Sequence, residues 1–354
     1  MSETQQILLD MATKVFAEQF SDKDLRAASR GGWLAAKWTI LDELGLALAL
    51  AGEAGGGFDL KLEEALALVR LAARHAIPLP LAESMFANHL LAVAGLEVAA
   101  GPLSIAPTVS SDRLSLRRTN SIWSLEGIAH AVPWGRHVET IVVVAAEGAG
   151  SSVAKVPRNG WVVEEEVQTI GGLPSDRLRF KAELSDNDVR PLPDNLPTDI
   201  VLAGGAALRS IGIAGSLQEV LDLTVRYVSD RSQFGRPLGK FQAIQHDIAK
   251  IAAQTIAAGA AGDIAAEAFA NAFDEADIAA AKARAGEAAG IAAGLSHQLH
   301  GAIGVTEEYR LHFLTKQLWA WRDEFGNEAY WQARLGRRAL QAGGPGLWPL
   351  LTTL

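Results

Sequence analysis

From about Asp199 to Arg338 the chain carries four long apolar segments that read as helices, and this narrows its possible folds sharply. They are Leu202–Asp230, Ala243 to about Asn271, Asp274–His300, and a group that begins at Glu308 and continues to about Gln317. The first is interrupted by little except glycines at 204, 205, 212 and 215. Such apolar helices cannot each stand in water, so they are predicted to cover one another as an antiparallel bundle.

The remainder divides at Gly101-Pro102. Before it, residues 4 to about 98 read as helices. Leu8, Leu9, Met11, Ala12, Val15 and Phe16 recur at spacings of three and four, which builds one apolar face. A second helix spans about Leu62 to Arg74, and the prolines of His75-Ala76-Ile77-Pro78-Leu79-Pro80 force its end. Gly52-Glu53-Ala54-Gly55-Gly56-Gly57 reads as a loop. After the division, β-like runs at Ser121–Leu125, Thr140–Ala146, Gly160–Val163 and Arg177–Phe180 alternate with turn residues. They suit a small sandwich or barrel. The fold expected is mixed and mainly α. A helical unit at 1–100 leads into a small β unit at 101–195, and a helical bundle follows at 196–354.

Bulk chemistry excludes several functions. With a formal charge of −9 and no block of Lys and Arg, a nucleic-acid partner is not expected. Local arginines can still hold a phosphate in an acidic chain. The absence of cysteine removes disulfides, thiolate nucleophiles and cysteine-ligated metals. Met1-Ser2-Glu3-Thr4 opens no secretory signal, and the apolar runs Leu44–Ala51 and Ile141–Ala146 are too short to span a bilayer. A soluble, cytoplasmic protein is expected.

The most informative stretch is Arg231-Ser232-Gln233-Phe234-Gly235-Arg236-Pro237-Leu238-Gly239-Lys240-Phe241-Gln242. It reads as a helix end, a Gly/Pro turn and the start of the next helix. Such a turn can present a guanidinium and an amide to a phosphate and a purine or ribose edge, and it serves equally as a plain surface reversal.

Tyr227, Arg231, Phe234, Gly235, Leu238 and Gln242 resemble the acyl-CoA dehydrogenase signature in spacing. Trp38 through Leu60, with Glu43-Leu44-Gly45-Leu46 and Gly55-Gly56-Gly57, is similar to that family's N-terminal helix–loop. Gln298-Leu299-His300-Gly301-Ala302-Ile303-Gly304, followed by Glu308-Tyr309, is similar to its second cofactor motif. The resemblance implies an N-terminal helical domain, a β middle domain and a C-terminal four-helix bundle, with FAD at a subunit boundary. By matching position, Arg231, Gln233, Phe234 and Gln242 would meet the pyrophosphate and adenosine half of a neighbour's FAD. Gln298, Gly301 and Ala302 would meet the adenine end of an FAD. Ala302 stands where the family usually has glycine, and its methyl group narrows the backbone's approach.

The reaction implied is α,β-dehydrogenation of an acyl-CoA, in which a carboxylate takes the α-proton and flavin accepts hydride before an electron-transfer acceptor reoxidises it. Here the commonest base position is Phe325, and the minority position on the first bundle helix is Gly205. Glu324, with Asp323 beside it, is the nearest candidate. Adjacent side chains point about 100° apart, so a neighbouring carboxylate is not automatically equivalent. In the middle unit, Ala131 and Pro133 stand where the family's flavin-contacting Trp and Thr would be. This combination resembles the short subunits of bacterial heterotetrameric dehydrogenases that act on CoA esters of steroids. Three functions follow: a homo-oligomer with displaced base Glu324, the completing partner in a hetero-oligomer, or a flavin-free acyl-CoA-binding scaffold. The second is preferred.

Other motifs carry less. His297 and His300 have metal-ligand spacing without a third ligand nearby. Gly52–Gly57 lacks the Lys-Ser/Thr of a phosphate loop, and no Gly-x-Gly-x-x-Gly opens a strand–helix unit. Trp319, Trp321 and Trp331 are expected in the bundle core.

Overall fold

The computed structural model of the chain describes residues 2–352. Helices α1 (Glu3–Gln19), α2 (Asp22–Ser29), α3 (Ala35–Glu43), α4 (Leu62–Arg74) and α5 (Leu81–Val93) come first. The buried residues of α1 include Leu8, Ala12 and Phe16, the face its periodicity predicts. Helix α4 ends at Arg74, immediately before the proline-containing segment, and 52–57 forms a loop with one short helical turn.

Eight strands follow: β1 (Leu103–Ala106), β2 (Arg113–Thr119), β3 (Ile122–Pro133), β4 (Thr140–Glu147), β5 (Gly150–Pro157), β6 (Trp161–Glu165), β7 (Ser175–Leu184) and β8 (Val189–Pro191). Pairing joins them in one sheet, in the order β6-β7-β3-β2-β4-β5-β8, with β1 parallel to β4. The four β-like sequence runs fall in β3, β4, β6 and β7. The strands that pattern did not mark, β1, β2, β5 and β8, are short or polar, as in Arg-Leu-Ser-Leu-Arg-Arg-Thr of β2. Inward residues such as Leu125, Val143, Trp161 and Phe180 form a core separate from that of the helices.

The bundle is built from α6 (Ile200–Asp230), α7 (Gln242–Ala270), α8 (Glu275–His300) and α9 (Leu311–Asp323). Helices α6, α7 and α8 pack mutually, α9 packs against α6 and α8, and α4 lies on α6. Helix α6 is long and apolar enough to span a membrane, yet its most apolar window is wholly buried inside the protein. A further helix, α10 (Glu328–Thr352), kinks at Gly343 and packs along α8. Arg334 ties α10 to Asp199 (2.8 Å) and Glu275 (2.5 Å), at the starts of α6 and α8.

Candidate active site

Two regions hold the residues singled out in the sequence. The first lies where α6 turns into α7. Ser232–Gln233 pairs antiparallel with Arg236–Pro237, and the hairpin tip uses left-handed backbone at Phe234 (φ 50°) and Gly235 (φ 79°). This turn and the end of α8 share a cavity of about 620 Å³, lined by Arg231, Gln233, Gln298, Gly301 and Ala302. Two motifs some seventy residues apart in sequence are thereby brought together. Phe234 and Gln242 do not line the cavity. Phe234 is 90% exposed at the hairpin tip, edge-on to Phe241.

The cavity's aromatic wall is Tyr227 stacked on His300 at 4.5 Å. His300 Nδ1 faces the Ser296 carbonyl (2.8 Å) and so donates, which leaves Nε2 to accept from the Tyr309 hydroxyl (3.2 Å). Burial pushes the His300 pKa down, consistent with a neutral ring. By contrast, the side chains of Arg231, Gln233 and Gln298 make no hydrogen bond or ion pair among the described residues. Gly301 (φ 63°) has open space where a Cβ would stand, so a ligand can approach its backbone. One cation and two amides are left unpartnered on a concave surface, a donor set suited to phosphate and a heterocycle edge.

The second region lies where α5, α6 and the end of α9 meet. A Cβ on Gly205 would stand 2.1 Å from Phe325 Cδ1, so the two residues that the resemblance sets at the family's base positions face each other in contact. Neither carries a carboxylate, and the Phe325 ring occupies the space that Gly205 leaves. Phe325 is buried with left-handed backbone (φ 55°), and its carbonyl accepts from Trp331 Nε1 (2.9 Å).

One turn along α6 from Gly205, Arg209 reaches the same face. Its Nε donates to Glu324 Oε2 (2.6 Å) and its Nη2 to Glu83 Oε1 (2.5 Å). All three side chains are largely buried, with exposures of 7% for Arg209, 5% for Glu83 and 18% for Glu324. Burial opposes the Arg209 charge, but Glu324 and Glu83 outweigh it and hold the guanidinium above its ordinary pKa. Arg209 also lies 5.3 Å from the Phe325 ring and 5.6 Å from the Trp321 ring. Beneath the loop, Lys282 Nζ donates to the carbonyls of Arg322 (2.7 Å) and Gly326 (2.8 Å). Burial pulls its pKa down to about 8, against the pull of Glu328 and Glu324. Glu324 is thus a partly buried counter-ion rather than a solvated helix-end residue.

Sequence reasoning missed Glu83, Arg209 and Lys282. Arg209 is a lone cation in a long apolar helical run, and such a cation requires buried partners, whereas Lys282 stands near Arg284 and Glu287 and has no such signal. The Arg209 signal was legible; which carboxylates answer it was not.

At the β edge beside this region, part of the backbone of 130–133 is already committed. His130 N donates to Asp112 Oδ2 (2.7 Å), Val132 pairs with Asp176 of β7, and Pro133 has no N–H. The carbonyls of His130 and Ala131 accept from Thr108 Oγ1, both at 3.0 Å. Elsewhere, His297 Nε2 meets Thr315 Oγ1 (2.7 Å), and Trp319 stacks on the His297 ring. Trp321 and Trp331 are core residues, 8% and 1% exposed.

Comparison with known proteins gives this architecture its class. The chain superposes on a variant of the Tcur3481-Tcur3483 steroid ACAD with a TM-score of 0.85 at 23% identity, covering 97% of this chain and 99% of that one. The ChsE4-ChsE5 complex from Mycobacterium tuberculosis gives 0.81 at 20% identity, with coverage of 96% and 98%. The fold is that of the acyl-CoA dehydrogenases. A family model for the acyl-CoA dehydrogenase C-terminal domain matches residues 201–340. Acyl-CoA dehydrogenase IpdE2 of Mycobacterium tuberculosis is 30% identical over 318 residues, 89% of this chain and 91% of the relative. The chain belongs to the acyl-CoA dehydrogenase family, whose members are FAD flavoproteins that oxidise acyl-CoA.

Proposed function

We propose that this chain is the base-lacking partner subunit of a hetero-oligomeric acyl-CoA dehydrogenase. It completes a neighbour's FAD site while the second chain supplies the base and most of the flavin contacts. The observation that carries this reading is the contact between Phe325 and Gly205: both places where the family puts its base are apolar, and they fill each other. The nearest carboxylate, Glu324, is committed to Arg209. A homo-oligomer using Glu324 as base would have to break that ion pair at every turnover.

The residues fit one half of FAD and not the other. Arg231 would set a fixed charge against the pyrophosphate, while Gln233, Gln298 and the backbone at Gly301–Ala302 would meet the adenosine end. Phe234 and Gln242, outside the cavity, would be reached only by a ligand extending past its rim. At the 130–133 edge His130 N is bonded to Asp112 and Pro133 has no N–H, so this edge offers few donors to the polar rim of an isoalloxazine. The unpartnered Arg231 also speaks against a flavin-free scaffold. When bound, FAD supplies the hydride acceptor, and an electron-transfer acceptor reoxidises it. The substrate class we propose, a CoA ester of steroid type, is in keeping with the steroid ACAD among the similar structures.

Assembly through the bundle is part of this reading, since Arg231 and Gln298 point to a ligand that their own chain does not complete. Co-expression with a longer homologous chain should give a yellow complex, whereas this chain alone should retain little FAD. Sedimentation as a monomer at micromolar concentration, together with failure to co-purify any such chain, would count against it.

A further inference from the structure

The region around Gly205 is a divided cleft. An inner cavity of about 50 Å³ lies between α4, α6 and α9 on one side and Trp134 and Leu173 of the β unit on the other, with Ala73, Leu208 and Trp321 also in its lining. An outer cavity of about 320 Å³ opens between the β unit and the loop after α9, with Ser110, Leu202 and Phe325 in its lining. Pro133 and Glu324 line both, so they stand in the wall between the two. Arg209 and Glu83 line the inner side, and Arg209 locks Glu324 in place.

We propose that the Glu83–Arg209–Glu324 triad, backed by Phe325, is a standing partition that seals this chain's inner chamber against an acyl chain. It deepens the partner-subunit reading and rests on it: each pair of chains then offers one acyl-CoA site, on the other chain's side. Loss of a base alone would leave an open cleft. Here three elements contribute to the closure: α5 with Glu83, α6 with Arg209, and the end of α9 with Glu324 and Phe325. The wall is held by charge as well as shape, because swinging Arg209 aside would leave two buried carboxylates facing each other. Lys282, below the loop, fixes the carbonyls on either side of the Glu324–Phe325 step. The inner cavity has room for a few waters, not for a hydrocarbon ring system.

The chain has no cysteine, so a single introduced thiol reports without background. Ala73→Cys places one on the inner cavity and Ser110→Cys one on the outer. With the triad intact, the inner thiol should react with a soluble disulfide reagent at least about a hundredfold more slowly than the outer, because Ala73 is only 5% exposed on the buried face of α4. Dodecanoyl-CoA, used as probe, should leave the inner rate unchanged. In an Ala73→Cys protein also carrying Glu83→Gln, Arg209→Ala, Glu324→Gln and Phe325→Ala, the rate should rise at least about tenfold if the helical spectrum is retained. If that variant fails to fold, the comparison of the two single-thiol proteins still decides. An inner thiol reacting within a few-fold of the outer, or protected by dodecanoyl-CoA with the triad intact, overturns the partition. The readout needs neither flavin nor partner, so failure of the partner-subunit reading, seen as turnover by the lone chain, is recorded separately.

Discussion

The two regions near the ends of α6 handle their polar groups in opposite ways. At the C-terminal end, Arg231, Gln233 and Gln298 line a roomy cavity, and their side chains bond to nothing among the described residues. Toward the N-terminal end, Arg209, Glu83 and Glu324 satisfy one another in a largely buried cluster, and Phe325 fills what remains. Unpaired charge on a concave surface is poised for a ligand. Paired charge in a core is already consumed. On the proposed function, the residues that match the family's cofactor motif are kept at one end, while those that match its base positions are built into structure at the other.

The largest effect should come from breaking the consumed end. Arg209→Ala leaves two buried carboxylates without a partner and should cost about 3–5 kcal/mol in denaturant unfolding. Adding Glu83→Gln and Glu324→Gln should recover much of that loss. An Arg209→Ala protein as stable as the parent would show that the cluster is not a structural unit.

Lys282 gives the next effect, and its sign is fixed by its lowered pKa. The folded state holds this proton less tightly than the unfolded chain, so stability rises with pH between about 8 and 10.5 and is lost as pH falls through 8. A drop of this size from the ordinary value corresponds to about 3 kcal/mol over that window. Unfolding measured from pH 7.5 to 10.5 should lose this component in Lys282→Met. Parallel curves for parent and variant would contradict the assignment.

At the open end, Arg231→Ala should leave stability within about 0.5 kcal/mol, since the side chain is exposed and unpaired. In the co-expressed complex it should weaken flavin binding by about 1.5–3 kcal/mol, the worth of a charge-assisted contact to phosphate. Full occupancy and an unchanged flavin spectrum would remove Arg231 from the cofactor site.

The smallest effect is expected of Glu324→Gln. Removing a true base costs about 10²–10⁴-fold in rate, whereas removing one counter-ion from a cluster with two acids should change the complex's turnover only a few-fold. A flavin-loaded complex that loses nearly all reduction by acyl-CoA would make Glu324 the base after all.

How much of this was legible in the sequence differs between the same two regions. Arg231, Gln298 and Gly301 lie in local motifs with fixed spacing, at a helix end and a turn, where short-range rules operate. The helical periodicity of α1 and the proline break after α4 were readable for the same reason. The closed end was not, because Glu83, Arg209 and Glu324 come from elements 126 and 115 residues apart and carry no joint pattern. Sequence placed Phe325 and Gly205 at the base positions but did not reveal that they touch. Strands β2 and β5 escaped because their outward faces are polar and their alternation is short. The kink at Gly343 inside α10 falls in Gly343-Gly344-Pro345-Gly346, a breaker cluster that the helical reading passed over.

The most direct test of the partner-subunit account is a count of flavin and activity in defined assemblies. Each chain should be purified alone and together with the longer homologous chain, then assayed for FAD per polypeptide and for acyl-CoA-dependent flavin reduction. The account predicts little FAD and no reduction for this chain alone, and in the complex one FAD per pair of chains with full reduction. One FAD for every copy of this chain by itself, reduced by acyl-CoA, would contradict it.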